Sequence, residues 1–297
     1  MSTRYGYVGI GNMGGPMAAN LARAGNEVII GDLNQKAVDA FTTEHETARP
    51  ANGLAAVGRD AAAVFTCLPT GKIVREAVLG EGGVAEGMAE GSILVDMSSS
   101  APRGTMELGK ELAERGIRMV DAPVSGGVPR AIEGTIAIMV GGEKEDIEKV
   151  RPALETMGGQ IFETGALGTA HAMKAINNVL SATNLVVAIE ALTVGKKFGL
   201  DADNMVDILN FSSGKNSATE GKLKQYILSR NFASGFGMDL MLKDVRTALD
   251  LADEMKVPWM IGSAVHEMIR AARNNLTDNA DYAEIGRWIE QNADIEL

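Results

Sequence analysis

Cysteine and histidine, the residues that most often build disulfides and metal sites, are scarce in this chain of 297 residues. A single cysteine, Cys67, excludes an internal disulfide and favours a reducing compartment. It lies in the apolar run AAAVFTCL, which indicates a buried strand residue and not a nucleophile. The histidines stand far apart at His45, His171 and His266, without a second ligand at the spacing of a metal site. We therefore expect no metal and a cytoplasmic location.

Positive charge is also in short supply. Lys and Arg number 28 against 39 Asp and Glu, so the net charge is −11 and the sequence pI is about 4.9. Without a basic cluster to reverse this balance locally, we expect no nucleic-acid partner and no membrane-surface partner. The longest apolar stretch, His171 to Leu192, contains a lysine and two asparagines, which makes it a poor membrane span. Because a strand pattern starts within four residues of the N-terminus, we also expect no signal peptide.

What the first half does contain is an alternation of strand and helix patterns. The runs YGYVGI, EVIIGD, AAAVFTCL, SILVDM and IRMVDAPV are apolar on both faces, and helical segments separate them. This pattern predicts an α/β fold with a doubly wound parallel sheet. After GTIAIMVGG and QIFETG the alternation stops and only helical patterns follow. We expect a sheet domain over residues 1–165 and an all-α domain over 166–297, joined by a long interdomain helix from about Gly168 to Phe198.

A glycine-rich turn follows the first strand and opens a helix. Gly9, Gly11 and Gly14 have the G-x-G-x-x-G spacing of a dinucleotide-binding turn. The first glycine allows the tight turn, the second lets the backbone approach a pyrophosphate, and the third lets helix and strand pack closely. The residues between them are Ile10, Asn12 and Met13. The context predicts a Rossmann-like domain that binds a dinucleotide at the N-terminus of this helix.

Asp32 ends the second strand, eighteen residues after Gly14. A carboxylate there accepts hydrogen bonds from a ribose 2′-hydroxyl and repels a 2′-phosphate. Since no arginine occurs among the next three residues, NAD is favoured over NADP, although Lys36 leaves NADP possible. An N-cap for the helix NQKAVDAF is a second interpretation of Asp32, compatible with the first.

Three more segments end strands on the same rim, where ligands of open α/β sheets bind. They are Leu68-Pro69-Thr70, Asp96 to Ser100 and the run DAPVSGGV. The first two are also compatible with ordinary turn and cap chemistry. In the third, Ser125, Gly126 and Gly127 offer a hydroxyl and unobstructed backbone N–H groups that suit a carboxylate, or form an ordinary glycine loop.

The long helix carries a lysine in apolar surroundings. Lys174 and Asn178 are four residues apart, so their side chains lie on the same helix face. A lysine in such a helix needs an acceptor, a shifted pKa or a water-filled cleft. We interpret the pair as the chemical centre. Further along, Lys243 and Asp244 lie among apolar residues and indicate either a solvated helix face or a functional pair.

Together these segments resemble the β-hydroxyacid dehydrogenase family, which includes 3-hydroxyisobutyrate dehydrogenases and tartronate and succinic semialdehyde reductases. Four segments carry the resemblance. The N-terminal signature of the family resembles VGIGNMGGPMAANLARAG, and its substrate segment resembles DAPVSGGVPRAIEGTIAIMVGG. Its K-x-x-N-N catalytic element resembles KAINN, and its C-terminal cofactor segment resembles GFGMDLMLKD. The likeness covers essentially the whole chain.

The resemblance implies hydride transfer between NAD(H) and a small β-hydroxyacid or its semialdehyde. Lys174 would be the general acid/base and Asn178 would hold the substrate. The other roles it implies are carboxylate binding by Ser125, Gly126 and Gly127, nicotinamide contacts by Leu68, Pro69 and Ser99, a cofactor contact by Lys243, and closure of the site by Phe236 and Asp244. A homodimer or homotetramer would be usual.

One departure concerns the residues before the lysine. The family commonly has glycine four residues before it, where this chain has Ala170 followed by His171. This difference leaves the side chain of the substrate open. Two alternatives are an NADP-preferring semialdehyde reductase of the same family and, from another class, a non-catalytic dinucleotide-binding scaffold.

Overall fold

The computed structural model of the protein describes residues 3–297, which form two compact units. One unit ends at Lys174, and the other runs from Ala175 to Leu297. The domain boundary after residue 165 stays a prediction.

A nine-stranded sheet organises the first unit. Its strands are β1 (Arg4–Val8), β2 (Glu27–Gly31), β3 (Ala48–Pro50), β4 (Ala63–Thr66), β5 (Ile93–Asp96), β6 (Arg118–Asp121), β7 (Val124–Ser125), β8 (Ile136–Gly141) and β9 (Gly158–Gly165). Its helices are α1 (Gly14–Arg23), α2 (Gln35–Glu44), α3 (Leu54–Gly58), α4 (Gly71–Leu79), α5 (Val84–Gly87), α6 (Pro102–Ala113), α7 (Gly127–Glu133) and α8 (Lys144–Met157).

The strand order β3-β2-β1-β4-β5-β6-β8-β7 confirms the doubly wound sheet, and β9 pairs with β8. The chain leaves β1 towards β2 and returns to the other side of β1 with β4, so a topological switch point lies between β1 and β4. The sheet is parallel except where β8 runs antiparallel to β6 and β7. The antiparallel pairing and the short edge strand β3 were not predicted, because short strands lack a clear hydrophobic period.

The central strands are buried on both faces, as a sheet covered by helices requires. Phe65 and Val95 pack into one apolar cluster, while their neighbours Val64 and Leu94 pack into a second. Adjacent residues of a strand point to opposite faces, so the two clusters lie on opposite sides of the sheet.

Helices make up the second unit, as predicted. They are α9 (Thr169–Phe198), α10 (Ala202–Asn210), a π-helix (Ala218–Leu228), α11 (Met238–Glu254), α12 (Met260–Asn275), a 3-10 turn (Tyr282–Glu284) and α13 (Ile285–Ala293). Helix α9 begins in the first unit and continues through the second, within one residue of the predicted span. It is long and apolar enough to cross a membrane by length and composition, and 56% of its most apolar window is buried. A single helix of this kind is weak support for a membrane span, since core helices of soluble proteins share these properties.

Candidate active site

The glycine-rich turn lies at the switch point of the sheet, between the ends of β1 and β4. Gly9 adopts a φ of +92°, which favours glycine, and its N–H donates to the carbonyl of Gly31. A side chain at Gly14 would overlap the carbonyl oxygen of Gly9, so the start of α1 can approach the strand only without a Cβ. Gly11 is exposed, and a Cβ there would meet nothing within 4 Å. The first and third glycines are therefore fixed by packing, while the second leaves an open backbone surface.

The N-terminus of α1 offers donors on this open side. Its N-cap residue, Met13, makes no side-chain cap hydrogen bond, so no side chain of the N-cap covers this helix end, although the N–H of Gly15 donates to the carbonyl of Gly11 at 2.9 Å. Such a helix end suits a phosphate. Of the other predicted contact residues in the turn, Asn12 is exposed and Ile10 is half-buried.

Asp32 links the second strand to the turn. Its Oδ2 accepts from the N–H of Ile10 at 2.8 Å, and its Oδ1 accepts from the N–H of Asn34 at 2.8 Å. The N-cap of α2 is Asn34, whose side chain accepts from Ala37. The interpretation of Asp32 as the N-cap was therefore wrong, because α2 begins two residues further along than that interpretation requires.

A buried carboxylate ties together the ends of β4 and β5. Asp96 accepts from the hydroxyl of Thr66 at 2.9 Å and from that of Ser100 at 2.7 Å. The hydroxyl of Ser98 in turn accepts from the N–H of Leu68 at 2.9 Å. Sequence reasoning placed these segments on one rim but missed the role of Asp96, which sets the path of both loops.

Cys67 and two predicted contact residues, Pro69 and Ser99, flank this network. Burial, together with the charge of Asp96, raises the pKa of Cys67 to about 12, so its thiol stays protonated and is a poor nucleophile. Pro69 is exposed and Ser99 is half-buried.

The segment expected to bind a carboxylate is shaped by two unusual backbone conformations. Ser125 pairs with Ala137 in the short antiparallel ladder of β7 and β8, and is half-buried. Gly126 and Gly127 are exposed with φ values of +143° and +79°. A Cβ at Gly126 would lie 2.9 Å from the side chain of Arg130. The two glycines thus present backbone to solvent at the start of α7.

The start of α9 is fixed by a carboxylate that sequence reasoning left without a role. The buried Asp121, at the end of β6, accepts from the N–H groups of Gly168 and His171, both at 2.8 Å. Two of the donors at this helix end are thereby satisfied. Desolvation raises the pKa of Asp121, against the opposing effects of His171 and of these backbone N–H groups.

His171 anchors the same turn through its side chain. Its Nδ1 lies 2.7 Å from the hydroxyl of Thr105, and its Nε2 donates to the carbonyl of Ser98 at 3.0 Å. The imidazole is buried, as is Ala170. Both residues therefore help to seat the helix in the first unit. Lys174, one turn further on, is half-buried.

Three predicted site residues come together in the second unit. Asn178 on α9 donates through Nδ2 to Oδ2 of Asp244 on α11 at 2.5 Å, and Lys243 Nζ lies 2.8 Å from Oδ1 of the same carboxylate. Asn178 and Asp244 are both buried. The interpretation of the Lys243–Asp244 pair as a solvated face is therefore wrong, because the Asp244 carboxylate is buried and binds Asn178.

Phe236, the remaining predicted residue, lies in the loop before α11. Its N–H donates to Oδ2 of Asp281 at 3.2 Å, and its carbonyl accepts from the N–H of Tyr282 at 2.8 Å. The side chain is half-buried against the core of the second unit. Asp281, which sequence reasoning did not single out, thus fixes the position of this loop.

Two family models together match most of the chain. Residues 4–165, more than half of the chain, match the NAD-binding domain of 6-phosphogluconate dehydrogenase. Residues 168–289 match the NAD-binding domain of NADP-dependent 3-hydroxyisobutyrate dehydrogenase. The 2-(hydroxymethyl)glutarate dehydrogenase of Eubacterium barkeri is 39% identical over 92% of this chain and 90% of its own length. The chain belongs to the β-hydroxyacid dehydrogenase family.

Other members of this family are similar along most of their length. The mitochondrial 3-hydroxyisobutyrate dehydrogenase of Mus musculus is 33% identical over 97% of this chain and 88% of its own. A structure of the Mycobacterium tuberculosis 3-hydroxyisobutyrate dehydrogenase with L-serine has a TM-score of 0.87 and 28% identity, and the match covers 97% of this chain and 99% of that one. As a β-hydroxyacid dehydrogenase, the chain is an oxidoreductase of hydroxyacids with a nicotinamide-dinucleotide-binding domain.

Proposed function

We propose that the protein transfers a hydride between NAD(H) and a small β-hydroxyacid or its semialdehyde, with Lys174 as general acid/base. The observation that carries the proposal is the arrangement on α9. Lys174 and Asn178 occupy successive turns of one helix, and Asn178 is held by the buried Asp244. In this family, such a lysine and asparagine form the K-x-x-N-N element.

The glycine turn fits a dinucleotide. The backbone is open at Gly11, the first N–H groups of α1 lack a side-chain cap, and the carboxylate of Asp32 stands beside the turn. In the proposal, Leu68, Pro69, Ser99 and Lys243 complete the cofactor contacts. When bound, the nicotinamide supplies or accepts the hydride.

The side chains of the proposed site divide the remaining work. Lys174 gives a proton to the developing alkoxide during reduction and takes the hydroxyl proton during oxidation. Asn178 uses one amide N–H on Asp244, which leaves its second N–H for the substrate. Ser125 and the backbone N–H groups of Gly126 and Gly127 bind the substrate carboxylate. In the same proposal, Phe236 and Asp244 limit the volume beside the reacting carbon.

Substitution of Lys174 by alanine tests the assignment. General acid/base catalysis contributes about a hundredfold to ten-thousandfold, so kcat of Lys174→Ala should fall by that range while the Kd for NADH stays close to that of the wild type. Lys197→Ala is the matched control, because Lys197 is an exposed lysine in the last turn of the same helix. Retained turnover in Lys174→Ala would refute the acid/base role. A wild type that binds NADH but oxidises no hydroxyacid and reduces no semialdehyde would instead support the scaffold alternative.

A preference for NADP is the second candidate. The exposed Lys36 in the first turn of α2 is near enough in sequence to Asp32 to offset its charge. In addition, the description of the family model that matches residues 168–289 names an NADP-dependent enzyme. We favour NAD because the Asp32 carboxylate is held directly at the turn. The ratio of kcat/KM for NADH and NADPH decides between them.

Assembly and location are also proposals. A row of exposed apolar residues runs along α9, at Leu180, Val187, Val194 and Phe198. Such a row favours burial against another copy of the chain in a homodimer or homotetramer. Light scattering of the wild type and of Val194→Asp measures the oligomeric state, since a charge at a buried interface should dissociate the oligomer.

The single cysteine and the negative net charge favour a cytoplasmic protein without a nucleic-acid or membrane partner.

A further inference from the structure

Lys222, on the π-helix, is a partly buried lysine. Its Nζ donates to the hydroxyl of Ser181 at 2.7 Å, and the side chain is partly buried. Among residues 3–297 no Asp or Glu pairs with it, and desolvation lowers its pKa without a compensating charge. An ammonium has three N–H donors, so two remain for another acceptor. Holding such a group out of water without a counter-charge is unfavourable.

The nearby acidic residues are engaged elsewhere. Glu220, two residues before Lys222, pairs with Lys215 at 2.9 Å. Asp207 pairs with Lys224 at 2.6 Å. The carboxylate that would complete the surroundings of Lys222 is therefore not supplied by the neighbouring residues of the second unit.

The hydroxyl that Lys222 contacts lies on the face of α9 that carries the catalytic element. Ser181 follows Lys174 by seven residues, close to two helical turns, and follows Asn178 by three. The Cα positions of Lys174 and Ser181 are about 10 Å apart along the helix axis. Lys222 thus brings a positive charge to the same face, one turn beyond the substrate-binding asparagine.

The element that carries Lys222 is itself unusual. It is an eleven-residue π-helix, whereas π-type turns in proteins are rare, short and often found at functional sites. An amide of α9 also approaches the beginning of this helix, since Asn184 donates to the hydroxyl of Ser217, the N-cap residue of the π-helix, at 3.4 Å.

We infer that Lys222, positioned by Ser181, binds a second carboxylate at the far end of the substrate, so that the preferred substrates are β-hydroxy dicarboxylates. This inference rests on the proposed hydride transfer and adds a substrate class to it. The reacting hydroxyl lies with Lys174 on α9, and the second carboxylate supplies the missing counter-charge. The Eubacterium barkeri relative, a 2-(hydroxymethyl)glutarate dehydrogenase, acts on a compound of this class.

Paired substrates test the inference on the full-length protein. We would measure kcat/KM for 2-(hydroxymethyl)glutarate, which has two carboxylates, and for 3-hydroxyisobutyrate, which has one. The wild type should prefer the dicarboxylate. A hydrogen bond to a charged group contributes enough that Lys222→Met should lower the ratio of the two kcat/KM values by about 10- to 100-fold. Lys222→Arg keeps the charge and should retain most of the preference.

Two further variants separate a binding role from a structural one. Ser181→Ala should lower the same ratio by less than Lys222→Met, because it removes only the group that orients the ammonium. Lys224→Met is the control, since Lys224 is an exposed lysine of the same helix, and it should leave the ratio unchanged. An equal loss for both substrates in Lys222→Met would overturn the inference, as would a wild type without a preference.

A binding measurement distinguishes failure of this inference from failure of the proposed function. Calorimetric titration of the NADH-loaded protein with glutarate and with butyrate requires no turnover. Tighter binding of glutarate that is lost in Lys222→Met supports the carboxylate site even if both hydroxyacids are poor substrates. Equal binding of glutarate and butyrate by the wild type refutes the site, even if hydride transfer to 3-hydroxyisobutyrate proceeds.

Discussion

Replacement of Gly11 by alanine should weaken cofactor binding without harming the fold. A Cβ at Gly11 meets no atom within 4 Å, and its φ is not in the left-handed region, so alanine fits the folded backbone. Gly14 is the opposite case, because a Cβ there would overlap the carbonyl oxygen of Gly9. Substitution of Gly11 therefore tests cofactor affinity alone, whereas substitution of Gly14 would also disturb the packing of the turn.

The size of the effect follows from these surroundings. In Gly11→Ala the methyl group stands where the proposed cofactor site brings a pyrophosphate to the turn, and the loss of one charged hydrogen bond costs about 1.5–3 kcal/mol. We therefore expect the Kd for NADH to rise about 10- to 100-fold. The free energy of unfolding should be unchanged or rise by about 0.4–1 kcal/mol, since alanine restricts the unfolded chain.

Calorimetric titration with NADH and urea unfolding followed by circular dichroism measure the two quantities. Gly104→Ala is the control, because Gly104 lies in α6, is exposed and also has nothing within 4 Å of an added Cβ. It should leave NADH binding unchanged. Wild-type affinity for NADH in Gly11→Ala would refute the assignment of this turn to the cofactor, and strong destabilisation would refute the packing argument.

Three carboxylates give further predictions. Asp32→Ala removes the charge that repels a 2′-phosphate, so the ratio of kcat/KM for NADH to that for NADPH should fall about tenfold or more; an unchanged ratio contradicts the role of Asp32 in cofactor choice. Asp244→Asn removes the charge that holds Asn178 and should lower the free energy of unfolding of the second unit by about 1–3 kcal/mol. The fluorescence of the two tryptophans of this unit measures the unfolding. An unchanged free energy of unfolding would mean that the buried contact contributes nothing to stability. Because burial raises the pKa of Asp121, the folded protein binds the proton of this carboxyl group more tightly than the unfolded chain does. The stability that Asp121 contributes is therefore greatest below about pH 4 and falls as pH rises through the raised pKa. The free energy of unfolding of the wild type minus that of Asp121→Asn should therefore decrease from pH 4 towards pH 7. A difference that grows over this range would contradict a raised pKa of Asp121 in the folded protein.

The parts of the site that could be read from the sequence are those that depend on local spacing. Each of them follows from a short pattern in neighbouring residues. These parts are the glycine turn, the strand-end loops and the pair Lys174 and Asn178. The orientation of Asn178 could not be read in this way. Its partner, Asp244, is 66 residues away on another helix, and the local pattern around that aspartate is compatible with a solvated helix face.

The same limit applies to the N-terminus of α9. Asp121 is 47 residues from Gly168, and nothing in the run DAPVSGGV indicates that its first residue would satisfy the donors of a distant helix. In the sequence, Ala170 and His171 departed from the family pattern and left the side chain of the substrate open. In the structure both are buried, and the imidazole of His171 is bound by Thr105 and Ser98, so they seat the helix.

Local periodicity and motif spacing by themselves determined the doubly wound sheet, the glycine-rich turn and the long helix that carries Lys174 and Asn178. Only the tertiary structure decided which buried polar groups pair with one another, as with Asp121 at the start of α9, Asp244 on Asn178, and Ser181 on Lys222. The physical reason is that a buried polar group must find a partner, and the partner is whatever group the topology brings within hydrogen-bonding distance. Hydrophobic period is a property of neighbours along the chain, whereas this pairing is a property of neighbours in space.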